Sequence, residues 1–376
     1  MRKNNFLIGK IKVDNKTKNL VKRIKPHEIA VINHEDLDEL AAISLIKAKV
    51  KFVINANLSM TGKYPNLGPL TLLKNNIPLL DNVGSSIMEL KDGLIIKIYE
   101  NTIYVNDNMY ATGTRQTLKS LQEILKNSKK NIKNNLDDFI DNTLFNANLE
   151  KNLILDNLTV PNLNTKIMGK HTLIVVRGQG YQEDLGTIKS YINDIKPVLV
   201  GVDGGADALR ECGYIPDIII GDMDSITDSS LKCGAELVVH AYSNGFAPGM
   251  QRVKELGLNA NTFAVQGTSE DAAMLLAYHY ETELIVAVGT HTNMIDFLEK
   301  GRLGMASTLL TRIMIGKILV DAKGVSKLYS KRINFKSVFN IVIAAFVPFI
   351  VIASTSTIFS QLGRLLLLKA KLFLGF

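Results

Sequence analysis

Two cysteines, Cys212 and Cys233, are the only thiols in 376 residues. So few exclude a disulfide framework and point to a reducing compartment. With no CxxC pair and no Cys/His cluster, a structural zinc site is excluded too, and both cysteines read as packing residues. The opening MRKNNFLIGKIKVDNKTK has no apolar run long enough for a secretory signal. No repeat of about 20–50 residues recurs. Acid is absent from 327–376, where seven Lys and Arg stand, and in 1–26 only Asp14 faces nine. The ends thus carry +7 and +8 in a chain of net +8, which leaves the body, 27–326, at −7. An acidic body excludes a nucleic-acid-coating surface, whereas basic ends suit an anionic membrane surface. Charge of either sign is missing between Lys336 and Arg364. A bilayer core takes roughly 20 apolar residues, so 337–359 is expected to be a single transmembrane helix, in which Pro348 is tolerated. The expected location is therefore the cell membrane, single-pass, with the body cytoplasmic and 360–376 a basic amphipathic tail.

What is present is globular: 46% apolar residues with mixed charge, in a chain longer than one ordinary domain. Residues 1–27 read as a basic N-terminal arm. From 28 to 113, short strands and helices punctuated by turns read as a small α/β domain, with a hairpin in DGLIIKIYENTIYVND. Residues 114–165 read as a helical connector, polar and with an incomplete apolar stripe through Leu121, Phe139 and Ile140. It also offers a surface for a homodimer.

From 166 to 330 the pattern changes. Seven apolar runs end in Gly, Asp or Ser: TLIVVRGQG, PVLVGVDGGAD, DIIIGDMDS, ELVVHAYSNG, TFAVQGTSED, ELIVAVGTH and KILVDAKG. Near-continuous apolar strands alternating with helical stretches predict a parallel sheet covered on both faces. Ligands bind such sheets beyond the carboxyl ends of the strands, where all these polar clusters fall. Asp222 and Asp224, two residues apart, are expected on one side of a strand end, with Gly221 leaving room for a phosphate and Ser225 following. Asp203 precedes Gly204 and Gly205 at another strand end, a turn that opens a helix towards phosphates. Paired carboxylates call for a divalent cation, and magnesium takes one or two of them with waters and phosphate oxygens. Asp203, Asp222 and Asp224 are thus the candidate metal ligands. Arg177 with Gly178 is a candidate phosphate contact or, equally, one half of a salt bridge. Arg302 is a second phosphate candidate. Ser269 reads as a helix cap, and Asp271 as a cap or a direct ligand. His240, His291 and Asp296 also lie near strand ends, where loop histidines are more often structural.

The stretch VDGGADALRECGYIPDIIIGDMDSI resembles the nucleotide half of thiamine pyrophosphokinases, with D-G-G-A, a helix, G-x-x-P-D and G-D-x-D-S. The resemblance implies that Asp203, Asp222 and Asp224 hold Mg2+ and the phosphates of ATP, with Asp222, Asp224 and Asp271 in catalytic positions. The family's T-D pair stands here as Glu270-Asp271, its R-x-D-H motif is absent, and its carboxyl-terminal β-domain has no room. Thiamine is accordingly not the expected acceptor. Over roughly 10–330 the chain resembles the SteA family of membrane-associated cell-division proteins, through TKNLVKRIKP, GKYPNLGP, IPLLDNVG, GVDGGADAL, GDMDS, GTSEDAAMLLAY and GRLGMASTLLTR. That resemblance implies a protein partner at the division septum and a kinase-like nucleotide domain of undefined substrate. With no histidine or lysine in the motifs placed to activate a hydroxyl, and with the expected membrane span, the reading is a domain that binds Mg-nucleotide or another diphosphate ligand with little or no turnover. The alternative is an active ATP-dependent pyrophosphokinase. The small domain also resembles the swivelling phosphohistidine domains of phosphoenolpyruvate-using enzymes, in fold only: Tyr64-Pro65-Asn66 stands where their histidine would be. The expected fold is α/β, a parallel-sheet pyrophosphokinase-like domain preceded by this swivelling-like one, with a C-terminal transmembrane helix.

Overall fold

Alternation, not charge, governs the start of the chain. In LIGKIKVD the lysines alternate with Leu7, Gly9, Ile11 and Val13, and the segment forms strand β1 (Leu7–Asp14) with Ile11 fully buried. Residues 7–14 are therefore not part of a solvated arm, because their apolar face is the middle of a sheet. The computed structural model describes residues 6–155, 158–328, 343–348, 350–351 and 355–374. In the first sheet β1 runs parallel to β2 (Ile29–Ile32), which pairs with β3 (Phe52–Asn55), then β4 (Leu79–Asp81). On its other side lies an antiparallel meander of β5 (Ile95–Tyr99), β6 (Thr102–Val105) and β7 (Asn108–Thr112), and β8 (Thr114–Arg115) closes the far edge against β4. The order is β7-β6-β5-β1-β2-β3-β4-β8. The β5–β6 hairpin pairs Tyr99 with Thr102, and Glu100 takes the left-handed conformation of a tight turn at φ 50°.

A single helix, Leu118–Leu155, leads away from this sheet. Leu121 and Phe139 are buried, whereas Ile140, Leu144 and Leu149 stay exposed.

Each of the seven apolar runs is a strand of the second sheet: β9 (His171–Val176), β10 (Val198–Val202), β11 (Ile218–Gly221), β12 (Glu236–Ala241), β13 (Asn261–Ala264), β14 (Leu284–Val288) and β15 (Leu319–Asp321). All pairings are parallel, in the order β13-β12-β11-β10-β9-β14-β15. The inner runs do not alternate because both faces are covered, whereas the edge strands β13 and β15 are partly exposed. In β11, Ile218 and Ile220 pack under the helix Ser269–His279 while Ile219 packs on the opposite face beside Val239 and Val253. Each buried aliphatic side chain of this kind is worth about 1.5–3 kcal/mol. The helix Ser269–His279 crosses back under β11, β10 and β9 to deliver β14 to the other side of β9. Residues 270–277 are buried all round as a result. The crossover makes β9 the point where the strand order reverses, and ligands of such sheets sit there.

The two sheets and the long helix belong to one compact unit, residues 1–326, and 327–376 form a second. Among the described residues no helix is long and apolar enough to cross a membrane. This overturns the transmembrane helix expected at 337–359 and, with it, the single-pass location. Ser356 is not helical, and the helix that follows, Thr357–Leu374, carries Arg364, Lys369 and Lys371 within 18 residues. Residues 337–342, 349 and 352–354 of the expected span lie outside the described residues.

Candidate functional site

The ends of β10 and β11 lie side by side, and their loops bring Asp203 against Asp222. Asp203 follows β10 in a left-handed conformation, φ 48°, its N–H held by Ile220 O at 2.9 Å. Its Oδ1 accepts the backbone N–H of Asp222 at 2.9 Å. Gly221 is obligatory here: its φ is 149°, and a Cβ would lie 1.8 Å from Asp203 Oδ1. The space that Gly221 leaves is therefore filled by the Asp203 carboxylate, not left for a phosphate. Part of Asp203 remains open to solvent, but its carboxyl lies deep in the crevice. Burial, then the Asp222 charge, push its pKa up to about 7, against the Ser269 hydroxyl, which lowers it. Neither carboxylate has a Lys or Arg in ion-pair contact among the described residues.

Asp224 behaves differently. Because β11 ends at Gly221 and Met223 has φ 63°, strand alternation does not continue into this loop. The Asp224 N–H donates to Asp222 Oδ1 at 3.0 Å, while its own carboxylate faces solvent, 4.0 Å from Lys16 Nζ. Ser225 is half-buried beside it. Among the described residues no three His, Cys, Asp or Glu side chains gather into a metal-binding group. The aspartates thus come together as a pair, not as a trio.

The glycines are set by close approach. A Cβ on Gly205 would lie 1.9 Å from Val175 O, which seats the helix Gly205–Glu211 directly on β9, and Gly204 faces the Arg177 stem. Gly178 meets Gly289 backbone to backbone, where a Cβ would lie 1.9 Å from Gly289 O, at the ends of β9 and β14. The Arg177 guanidinium is engaged by Glu211 Oε1 at 2.9 Å, the salt-bridge alternative.

At the start of the crossover helix the cap is Thr268, not Ser269. Thr268 Oγ1 accepts from Asp271 N–H and Asp271 Oδ2 accepts from Thr268 N–H, both at 3.0 Å, a reciprocal capping box. The fully buried Asp271 carboxylate also accepts from Ser307 Oγ at 2.8 Å and Thr308 Oγ1 at 3.0 Å. Through Oδ2 it locks the helix start to its neighbour, while its Oδ1 is buried without a hydrogen-bond partner among the described residues. Freed from capping, Ser269 lies between Asp203 and His240 Nδ1, the latter at 3.4 Å. His240 Nε2 is within 2.9 Å of Val265 O.

Lys300 and the contact between Glu270 and His291 were not legible as parts of the site. Glu270 is buried, accepts from His291 N–H at 3.0 Å and lies 3.0 Å from His291 Nδ1. Lys300 Nζ approaches the same Nδ1 at 3.3 Å. Lys300 as a residue is exposed, yet its ammonium is turned into the crowded crevice, where desolvation lowers its pKa against the pull of Glu270 and Asp203. Its neighbour Arg302 is exposed with no acidic partner among the described residues. The only signal for Lys300 was a second cation in EKGRLG. Asp296 accepts from Thr292 N–H and pairs with Lys323. Finally, the first sheet's domain touches the rim of this crevice: Gln179 donates to Glu39, and Lys16 approaches Asp224.

The crevice offers two adjacent carboxylates, one ammonium with no acidic partner in ion-pair contact among the described residues, and tight glycine turns. The carboxylate pair suits a hydrated divalent cation that also carries phosphate oxygens, and Lys300 suits the phosphates themselves.

Residues 189–244, which hold β10, β11 and both aspartates, match the family described as thiamin pyrophosphokinase, catalytic domain. Residues 323–374 match the SteA-like C-terminal domain. A 6-hydroxymethyl-7,8-dihydropterin pyrophosphokinase of Methanocaldococcus jannaschii is 29% identical over 162 residues, covering 37% of this chain and 66% of the relative. The solved thiamine pyrophosphokinase of Bacillus subtilis aligns at 22% identity and a TM-score of 0.25, over 40% of this chain and 60% of that one. A protein from Lactobacillus plantarum aligns at 22% identity and a TM-score of 0.21, over 35% and 53%. The match therefore spans less than two thirds of each relative's own length. The chain carries a thiamin pyrophosphokinase-like catalytic domain in its second sheet and a SteA-like domain at its C-terminus.

Proposed function

We propose that the crevice beyond β10 and β11 binds a nucleotide or another diphosphate ligand together with Mg2+, in a chain that serves cell division through a protein partner. One observation carries the binding claim: the Asp222 charge raises the Asp203 pKa beside it, and neither carboxylate has a Lys or Arg in ion-pair contact among the described residues. When bound there, magnesium would be held by these two carboxylates and would neutralise charge on phosphate oxygens. Lys300 would face the phosphates from the loop after the helix Met294–Leu298. The SteA-like match supports the division role. Equilibrium dialysis of labelled ATP against the protein in Mg2+ tests the reading: saturable binding supports it, and no binding at millimolar nucleotide contradicts it.

A second reading, turnover, is favoured by the identity to a pterin pyrophosphokinase. In that reaction an acceptor alcohol oxygen attacks the β-phosphorus of ATP and gives its proton to solvent. The bond from the β-phosphorus to the oxygen it shares with the α-phosphorus breaks, and AMP leaves. The two readings part on AMP release in the presence of candidate alcohols. Binding without AMP above background supports the first, and AMP formation lost in Asp222→Asn supports the second.

A further inference from the structure

Away from the crevice, a cavity of about 410 Å3 opens where the first sheet's domain, the long helix and the loop 298–303 meet. That volume lies in the range of small-molecule sites. Its polar lining is acidic, with Glu35, Asp36, Asp138 and Glu299 against a single Lys63. Much of this charge is already engaged. Lys63 Nζ pairs with Glu35 at 2.9 Å, and both Asp36 oxygens accept from Thr61, at 2.7 Å from its N–H and 2.8 Å from its hydroxyl.

Three polar groups are left over. Tyr64 is 4% exposed, lines the cavity, and its hydroxyl has no hydrogen-bond partner among the described residues. The ring is buried but the hydroxyl is not sealed from solvent, so it is free to take a partner from within the cavity. Glu299 is half-buried with neither an ion pair nor a side-chain hydrogen bond among the described residues. Burial, with Asp38, Asp296 and Glu39 adding repulsion and Lys323 opposing it, pushes its pKa up to about 7. Asp138 contributes a third acceptor from the long helix.

These acceptors do not converge as metal ligands do, since no group of three carboxylates or imidazoles gathers among the described residues. The walls between them are apolar: Phe139, Leu298 and Leu303. Spread carboxylates, an aromatic ring and aliphatic walls together select a cation that carries hydrocarbon, through ion pairing and cation–π contact.

We infer that this cavity is a binding site for a small organic cation, an ammonium on an apolar body, held by Glu299, Asp138 and the Tyr64 hydroxyl against Phe139. The inference is independent of the nucleotide reading, because the site shares no side chain with the Asp203–Asp222 pair.

The test uses the full chain at pH 8, with benzylammonium as probe and benzyl alcohol as its neutral counterpart, read by ligand-observed NMR titration. Benzylammonium is expected to bind saturably, and benzyl alcohol at least about 10-fold more weakly. Glu299→Gln and Tyr64→Phe, both near-isosteric, are each expected to weaken benzylammonium roughly 5-fold or more, and Asp222→Asn to leave it within about twofold. Equal affinity for the alcohol, wild-type affinity in a folded Glu299→Gln protein, or no saturation by roughly 10 mM would overturn the inference. Loss of binding in Asp222→Asn would also overturn it, by placing the cation in the crevice. If Tyr64→Phe does not fold, Glu299→Gln and the neutral probe decide the matter.

Discussion

Both sheets end parallel strands in aspartate, yet the two sets of carboxylates live in opposite circumstances. At the end of β4, Asp81 is buried and surrounded by donors: Ser59 N–H at 2.9 Å, Ser59 Oγ at 2.7 Å and Gln116 Nε2 at 3.3 Å. At the end of β10, Asp203 meets another carboxylate. Burial raises the pKa of both. What separates them is the sign of the neighbour. An aspartate satisfied by donors is architecture, and one pressed against a second carboxylate is a site waiting for a cation. Residue type at a strand end cannot tell the two apart.

The comparison is broken or sharpened by substitution at each end. The largest effect is expected at the crevice, where Asp222→Asn should weaken Mg-nucleotide binding roughly 100-fold, about 2.7 kcal/mol. Without ligand, Asp203→Asn should raise the melting temperature, because its amide oxygen still accepts from Asp222 N–H while the repulsion disappears. In the first sheet the same change should have the opposite sign. Asp81→Asn turns a donor towards Ser59 and should cost about 2 kcal/mol in denaturant unfolding, with nucleotide affinity unchanged. Destabilisation by both substitutions would erase the distinction drawn here.

Glu299 provides a pH-dependent case of intermediate size. Its folded pKa, about 7, lies above the ordinary 4.5. Above pH 7 the carboxylate is ionised in both states and its buried charge destabilises the fold. As pH falls through 7 the folded state takes up a proton and that cost is relieved. Glu299→Gln should therefore stabilise the protein by roughly 1–3 kcal/mol at pH 8 and by clearly less at pH 5. Denaturation at the two pH values measures this, and equal gains would show that Glu299 is not the group responsible. The smallest effect is expected at Arg177. Its pair with Glu211 is solvent-exposed, so Arg177→Ala should change stability by less than about 1 kcal/mol and nucleotide affinity far less than Asp222→Asn does.

What was legible in the sequence follows the same physics. The seven strands of the second sheet are legible because burial on both faces makes the inner ones near-continuous apolar runs. β1 was hidden because its outward positions are lysines that read as a charged arm, although Ile11 sits at the centre of a sheet. The Asp203–Asp222 pair lay in quoted motifs, but Asp224 was placed with them by extending strand alternation past Gly221, where the strand has ended. Asp271 reads as a cap or a ligand by its position; the partners of its Oδ2, Ser307 and Thr308, lie 36 and 37 residues further on and are invisible to any local pattern, and its Oδ1 has no partner among the described residues. Lys300 and the Glu270–His291 pair meet only through loops, and no local pattern announces them. The expected membrane helix rested on an absence of charge, whereas among the described residues no helix is long and apolar enough to cross a membrane.

The central claim is that the opposed carboxylates make nucleotide binding depend on a divalent cation. Calorimetric titration of ATP into the full chain, once with Mg2+ and once with EDTA, tests it most directly. Saturable heat with magnesium and none without it is the predicted result, and equal affinity in both titrations would contradict the account.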